Sequence, residues 1–331
     1  MQVGVVDYHT GGEPFRIVVS GGPEIAGASV ADRREYARHS DDVDVFRKLL
    51  VNEPRGHADM YGGFLVPPDD EGADLGVLFW HKDGYSTACG HGTIALGAWA
   101  LATGLVTGPE TGVTPVVIDV PSGRVTALVH RVDGAIQQIG FRNVPAYVVA
   151  RGIEVETARG TVYADISFGG AFYASVRAES VGLAVTAEHY GELVALGCEV
   201  KWALNETDWV RHPTDNRLDG LYGTILYDDL GRHDTGPHQR NLTVFADGEA
   251  DRSPCGSGTS ARLALVADEG LIGAGEILRH DSIVGSTFWG RIVENAADGV
   301  ITEIEGTAYE TGRSTFTLDP ADELGTGFVL R

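Results

Sequence analysis

Three cysteines occur in the 331 residues, and two of them open the same pattern. Cys89 begins CGHGTIALGAWALATGLV, and Cys255 begins CGSGTSARLALVADEGLI. A thiol ahead of a Gly-rich turn and an apolar helical run stands at a helix N-terminus. Unpaired N–H groups there favour an anion by about 0.3–2 kcal/mol. A thiolate is such an anion, so each cysteine is expected to ionise more readily than a free one. The glycines admit a carboxylate to the backbone with no Cβ in the way. If the two stations face one pocket, one thiolate can take a proton from a carbon while the other thiol delivers one to the opposite face. That inverts a stereocentre, and the helix ends stabilise the charge that develops on the carboxylate. A redox disulfide and a pair of inert core thiols are the alternatives. Cys198, in LVALGCEVKW, has no Gly-x-Gly after it and is expected only to pack.

The elements that position these thiols repeat as well. Cys89, Gly90, Gly92, Thr93 and Ala95 recur as Cys255, Gly256, Gly258, Thr259 and Ala261, and Gly104 and Leu105 as Gly270 and Leu271. The offset, 255 − 89 = 166, is half the chain. Phe79 and Phe245 each precede their cysteine by ten residues, and DYHTGGEPF at Asp7 echoes DISFGGAFY at Asp165. Strand-length apolar segments include VGVV, LGVLFW, TPVVIDV, VTALVH, IQQIGF, AYVVA and LTVFA. Helical periodicity marks 45–50, 93–103, 189–199 and 260–269, with Gly104 and Gly270 as left-handed stops. These patterns predict an α+β fold of two pseudo-symmetric halves, each a curved mixed sheet on a central helix. Residues 1–150 with 320–331 are assigned to the first half and 151–319 to the second, with the active site between them. The segment 319–331 is expected to end in an apolar strand.

Composition narrows the function. Lys and Arg number 25 against 47 Asp and Glu, a net charge of −22. That balance argues against binding nucleic acid or an anionic membrane. No CxxC pair exists, so a zinc ribbon or thioredoxin-like site has no support. No apolar run is long enough to span a bilayer, and the N-terminus lacks a signal peptide's basic region. A cytoplasmic setting is expected. Glu53, Arg55, His57 and Asp59 fit no metal spacing and predict a buried polar network, as do His9, Glu13 and Arg16.

The blocks DYHTGGEP (7–14), EPRGHADMYGGFL (53–65), CGHGTIA (89–95), DISFGGAFY (165–173) and DRSPCGSGTSA (251–261) resemble the proline racemase family. The resemblance implies a fold like that of diaminopimelate epimerase. It implies two catalytic cysteines, Cys89 and Cys255, working without pyridoxal or metal on a proline-type imino acid. It places substrate contacts at Gly90, His91, Asp251, Gly256 and Ser257, with Asp251 pairing with the ring nitrogen, and it implies a homodimer. Family epimerases and racemases carry both cysteines, whereas dehydratases of trans-3-hydroxyproline carry threonine at the second. Cys255 and the CGHGT motif therefore favour 4-hydroxyproline 2-epimerisation. LYGTILYDD (221–229), LGVLFWHKDGYS (75–86) and GGAFYA (169–174) instead resemble the dehydratase branch, and a histidine common in the epimerases is missing before 221. A trans-3-hydroxy-L-proline dehydratase or 3-hydroxyproline epimerase is the first alternative, and a proline racemase the second.

Overall fold

The computed structural model describes every residue except Asp298 and Arg331. The chain forms two compact units, Met1–Ile139 with Thr307–Arg331, and Gly140–Gly306. The first contains β1 (Gln2–Thr10), β2 (Glu13–Ser20), α1 (Val30–Arg38), α2 (Asp41–Val51), β3 (Gly62–Val66), β4 (Leu75–His81), β5 (Gly84–Tyr85), α3 (Gly90–Ala102), β6 (Gly112–Val120) and β7 (Gly123–Val132). The strand β8 (Ala135–Arg142) spans the boundary. The second contains β9 (Tyr147–Thr157), β10 (Gly160–Phe168), β11 (Phe172–Arg177), α4 (Tyr190–Leu204), β12 (Leu221–His233), β13 (Gly236–Phe245), β14 (Glu249–Asp251), α5 (Gly256–Asp268), β15 (Leu278–Ser282), β16 (Thr287–Ala296) and β17 (Gly299–Gly306). The last strand, β18 (Ala308–Thr317), belongs to the first unit.

Both units are mixed sheets of one topology. In the first, β18, β1, β2, β3, β4, β6 and β7 lie side by side. Their joins run antiparallel, antiparallel, parallel, antiparallel, parallel, antiparallel. In the second, β9, β10, β11, β12, β13, β15 and β16 follow with the same senses, and β17 pairs antiparallel with β16. The helix α3 packs on β18, β1, β2, β6 and β7, and α5 packs on β9, β10, β11, β16 and β17. A sheet whose two ends both reach one helix has to curl around it. A helix so enclosed has no solvent face, and this explains why neither sequence shows an apolar stripe. Every residue of each helix's first three turns is buried.

A second apolar layer covers each sheet. In the first unit Leu49 and Leu50 of α2 pack with Val3, Val5, Phe64 and Trp80. In the second, Leu193, Leu196 and Val200 of α4 pack with Leu242 and Val244. The approach is close at Gly197, where a Cβ would meet the Val244 Cβ at 2.6 Å. The expected stops hold: Gly104 and Gly270 have φ of 74° and 68°. Among the described residues, no helix is long and apolar enough to cross a membrane.

The structure corrects three expectations. The division falls at 139/140 and 306/307 rather than 150/151 and 319/320. The cause is pairing: β9 joins β10, and β18 joins β1 from Gln2–Thr317 to Thr10–Ala308. The returning strand is therefore β18. The segment 319–330 contains no strand and makes one isolated bridge, Glu53 with Phe328. The helix α1 carries no apolar periodicity. It starts at a Ser29–Asp32 capping box. Its buried face includes Arg33 and Arg34, whose guanidiniums donate to the carbonyls of Pro67 (2.8 Å) and Tyr85 (2.9 Å).

The polar cluster near residue 55 has a structural role. Arg16 forms a two-pronged pair with Asp7, both contacts 2.8 Å, and donates to the carbonyls of Leu50 and Arg55. Arg55 donates to the carbonyls of Gly325 and Thr317. These bonds tie α2 and the C-terminal segment to the first two strands.

Candidate active site

In the first unit, β5 leads into α3 and Cys89 is the helix N-cap. Its backbone is extended, with φ −156°. The Gly92 N–H donates to its Sγ at 3.2 Å, so the helix terminus points at the sulfur. A Cβ on Gly92 would stand 2.8 Å from Sγ and 2.5 Å from the Phe15 ring, which explains the glycine. The His91 ring lies against the thiol, Nδ1 at 3.4 Å and Nε2 at 3.6 Å. Phe15 and Tyr61 hold that ring edge-on, with centroids 5.9 and 4.9 Å away. The His91 carbonyl accepts from Thr10 Oγ1 at 3.0 Å. Both ring nitrogens thus lie within hydrogen-bonding reach of the sulfur.

In the second unit, β14 leads through Arg252, Ser253 and Pro254 to Cys255, the N-cap of α5. Cys255 has φ 62°, in the left-handed region. A side chain held there costs about 1–3 kcal/mol and persists only when its surroundings over-determine it. The Cys255 N–H donates to Ser253 Oγ at 3.1 Å. Ser253 donates from both its Oγ (2.7 Å) and its N–H (2.8 Å) to Asp251 Oδ1. Gly258 lies under the sulfur; a Cβ there would be 2.9 Å from Sγ. The Tyr173 hydroxyl is 2.7 Å from Ser257 Oγ and 3.7 Å from the Cys255 Sγ.

Charge behaves differently from the expectation at Cys255. Burial pushes its thiol well above the usual range, and Asp251 adds to that. Tyr173, the Gly258 amide and Thr243 pull the other way and do not match it. The helix terminus is present, yet in an enclosed site the loss of water outweighs it. Burial likewise raises Asp251 to about 6 against the help of Ser253, and raises Tyr173 well above its ordinary value. None of Cys89, Cys198 and Cys255 is joined in a disulfide.

Of the residues singled out in the sequence, Cys89, Gly90 and His91 share the first helix terminus. Cys255, Gly256, Ser257 and Asp251 share the second. Cys198 packs beside the second unit's core, as expected. Tyr173, Ser253, Phe15 and Tyr61 were not singled out. One signal was available for Tyr173. It follows Asp165 by eight residues as Phe15 follows Asp7, so the repeat itself aligns the two rings on the two thiols.

Comparison with known proteins covers the whole chain. The family model described as proline racemase matches residues 5–329. A trans-L-3-hydroxyproline dehydratase of Xenopus tropicalis is 43% identical, over 99% of this chain and 95% of the relative. A trans-3-hydroxy-L-proline dehydratase of Burkholderia cenocepacia is also 43% identical, over 98% and 97%. The crystal structure of a hydroxyproline epimerase from Agrobacterium vitis, with bound trans-4-hydroxy-L-proline, superposes with a TM-score of 0.91 at 29% identity, over 99% and 96%.

Proposed function

The chain belongs to the proline racemase family, and on that premise we propose that it is a trans-3-hydroxy-L-proline dehydratase. The observation that carries this reading is the 43% identity to dehydratases across nearly the full length of both chains, against 29% to the epimerase of known structure. It reverses the order expected from Cys255 and CGHGT, and agrees with the dehydratase-like segments at 75–86, 169–174 and 221–229.

The chemistry follows from the substrate. In trans-3-hydroxy-L-proline the C2 hydrogen and the C3 hydroxyl lie on the same face of the ring. One acid–base group on that face suffices. Cys89, as thiolate, takes the C2 proton. The C2 electron pair forms the C2=C3 bond and the C3–O bond breaks. The Cys89 thiol returns the proton to the departing hydroxide, which leaves as water. The resulting enamine becomes the cyclic imine as C3 gains a proton and the ring nitrogen gives one up. His91, with Nδ1 3.4 Å from the sulfur, is the neighbour that can accept the thiol proton. Amide groups at the helix termini hold the carboxylate and the charge that builds on it. Ionised Asp251 pairs with the protonated ring nitrogen, which acidifies C2.

A second reading, C2 epimerisation of a hydroxyproline, is favoured by one observation. Cys255 is a thiol where the family's dehydratases carry threonine, and it can reprotonate C2 from the other face. The substrate is in either case a small imino acid. A homodimer and a cytoplasmic setting belong to the same proposal, the dimer checked by light scattering.

NMR in D2O with trans-3-hydroxy-L-proline, trans-4-hydroxy-L-proline and L-proline tests both readings. Loss of the trans-3 isomer to a pyrroline carboxylate is expected. Deuterium at C2 with a growing epimer, and no dehydration, would leave the second reading. No change in any of the three would remove both.

A further inference from the structure

The two cysteines differ in what stands behind them. The Cys89 backbone is relaxed and extended, and Thr93 Oγ1 donates to the Cys89 carbonyl at 2.8 Å, an ordinary bond within a helix. Behind Cys255 the equivalent threonine is engaged elsewhere. Thr259 Oγ1 donates to the carbonyl of Pro254 at 3.1 Å. Asn241 Nδ2 donates to the same oxygen at 2.9 Å. Both lone pairs of that carbonyl are thereby used. The Thr259 hydroxyl has one proton, spent on Pro254, so at its 2.8 Å contact with His280 Nδ1 it accepts and the ring donates. His280 is fully buried on β15, Asn241 on β13 and Thr259 on α5. Three elements therefore converge on the one peptide group that precedes the left-handed residue. At the matching places stand Leu75 and Val116, the latter two residues before the partner of Leu75 as His280 is before the partner of Asn241; neither can build this arrangement.

We propose that His280, Thr259 and Asn241 form a positioning unit that locks the Pro254–Cys255 peptide and so holds the Cys255 sulfur over the N-terminus of α5. The two acid–base stations are then unequal by construction. The first is a thiol paired with an imidazole; the second is a thiol whose backbone is clamped from behind. The unit serves a reaction at Cys255 and rests on the family reading. It also makes a claim about the free thiol that needs no substrate. Without the clamp, the residue relaxes out of the left-handed region and the sulfur leaves the Gly258 amide and the Tyr173 hydroxyl, the groups that favour its thiolate.

The test uses the full chain with Thr259→Val, which keeps the shape and removes the hydroxyl. Asn241→Leu introduces the first unit's residue, and Thr259→Ser restores the hydroxyl. Iodoacetamide alkylation of each cysteine is followed by mass spectrometry. Cys255 should react about tenfold more slowly in Thr259→Val and Asn241→Leu, with Cys89 within about twofold of the parent, and Thr259→Ser should recover the parent rate. An unchanged or faster Cys255 overturns the proposal. So does equal slowing of both thiols, which reports general disruption. Turnover is the second readout. On whichever imino acid the parent converts through Cys255, kcat should fall about tenfold with KM held within about twofold. If the parent dehydrates through Cys89 alone, turnover should be unchanged in the variants, and if it converts no imino acid at all, the functional reading fails; in both cases the alkylation rates decide the positioning unit.

Discussion

Asp251 carries two opposed demands. Its carboxyl is fully buried, which raises its pKa to about 6. From about pH 4 to about 6 the folded protein keeps a proton that the unfolded chain has released. The group's contribution to stability therefore falls as pH rises through that window and is flat above it, a difference of about 3 kcal/mol. Asp251→Asn retains an oxygen for Ser253 and cannot ionise. It should raise stability at pH 7 by about 1–3 kcal/mol in urea unfolding, and flatten the dependence between pH 4 and 6. On the proposed pairing of Asp251 with the ring nitrogen, the same change should lower turnover at least about 100-fold, because nothing then answers that charge. An equally stable and active variant would remove Asp251 from the substrate's contacts. A buried carboxylate that weakens the fold at working pH is what a binding group looks like.

Helix termini decide which glycines matter. Gly258 and Gly270 begin and end the same helix environment, yet they answer to different forces. Alanine at Gly258 would place a Cβ 2.9 Å from the Cys255 sulfur and 3.3 Å from Ile225, so the thiol must move. Gly258→Ala should slow C2 exchange through Cys255 about 100-fold and leave dehydration through Cys89 within about twofold, since a displacement near 1 Å has that effect on an aligned group. Alanine at Gly270 meets nothing within 4 Å, and only its φ of 68° is at stake. Gly270→Ala should lose about 1 kcal/mol in urea unfolding with kcat unchanged. These termini were legible in the sequence because small residues and a cysteine recur in register. The helix α1 was not legible, because its buried face contains arginines that satisfy carbonyls instead of an apolar stripe. The strand β18 escaped for a related reason: nearly all its side chains are solvent-exposed, and it is held by backbone pairing to β1. Tyr173 was in view inside DISFGGAFY, but its role depends on a distance to Ser257 that spacing alone does not fix. The left-handed backbone at Cys255 leaves no trace in residue type, since glycine would be the expected occupant.

At the scale of the whole molecule, a net charge of −22 acts against compactness. Many carboxylates are paired, as Asp7 is with Arg16 and Glu303 with Arg142, but 47 acids cannot be matched by 25 bases. Raising NaCl from about 10 to about 300 mM shortens the screening length several-fold. Tm should rise by a few degrees over that range in a thermal scan. A fall would mean that the specific pairs outweigh the general repulsion. The division into two units was legible from the repeat, though its boundaries were misplaced by about ten residues because strand pairing, not composition, sets them. That displacement has a temporal consequence. The unit from Gly140 to Gly306 is continuous, whereas the unit that begins at Met1 is completed by β18, beyond residue 306. On the ribosome, the part translated later is thus finished earlier, and β1 waits for its outer neighbour through most of translation. Protease challenge of nascent chains arrested at successive lengths should show the second unit protected first.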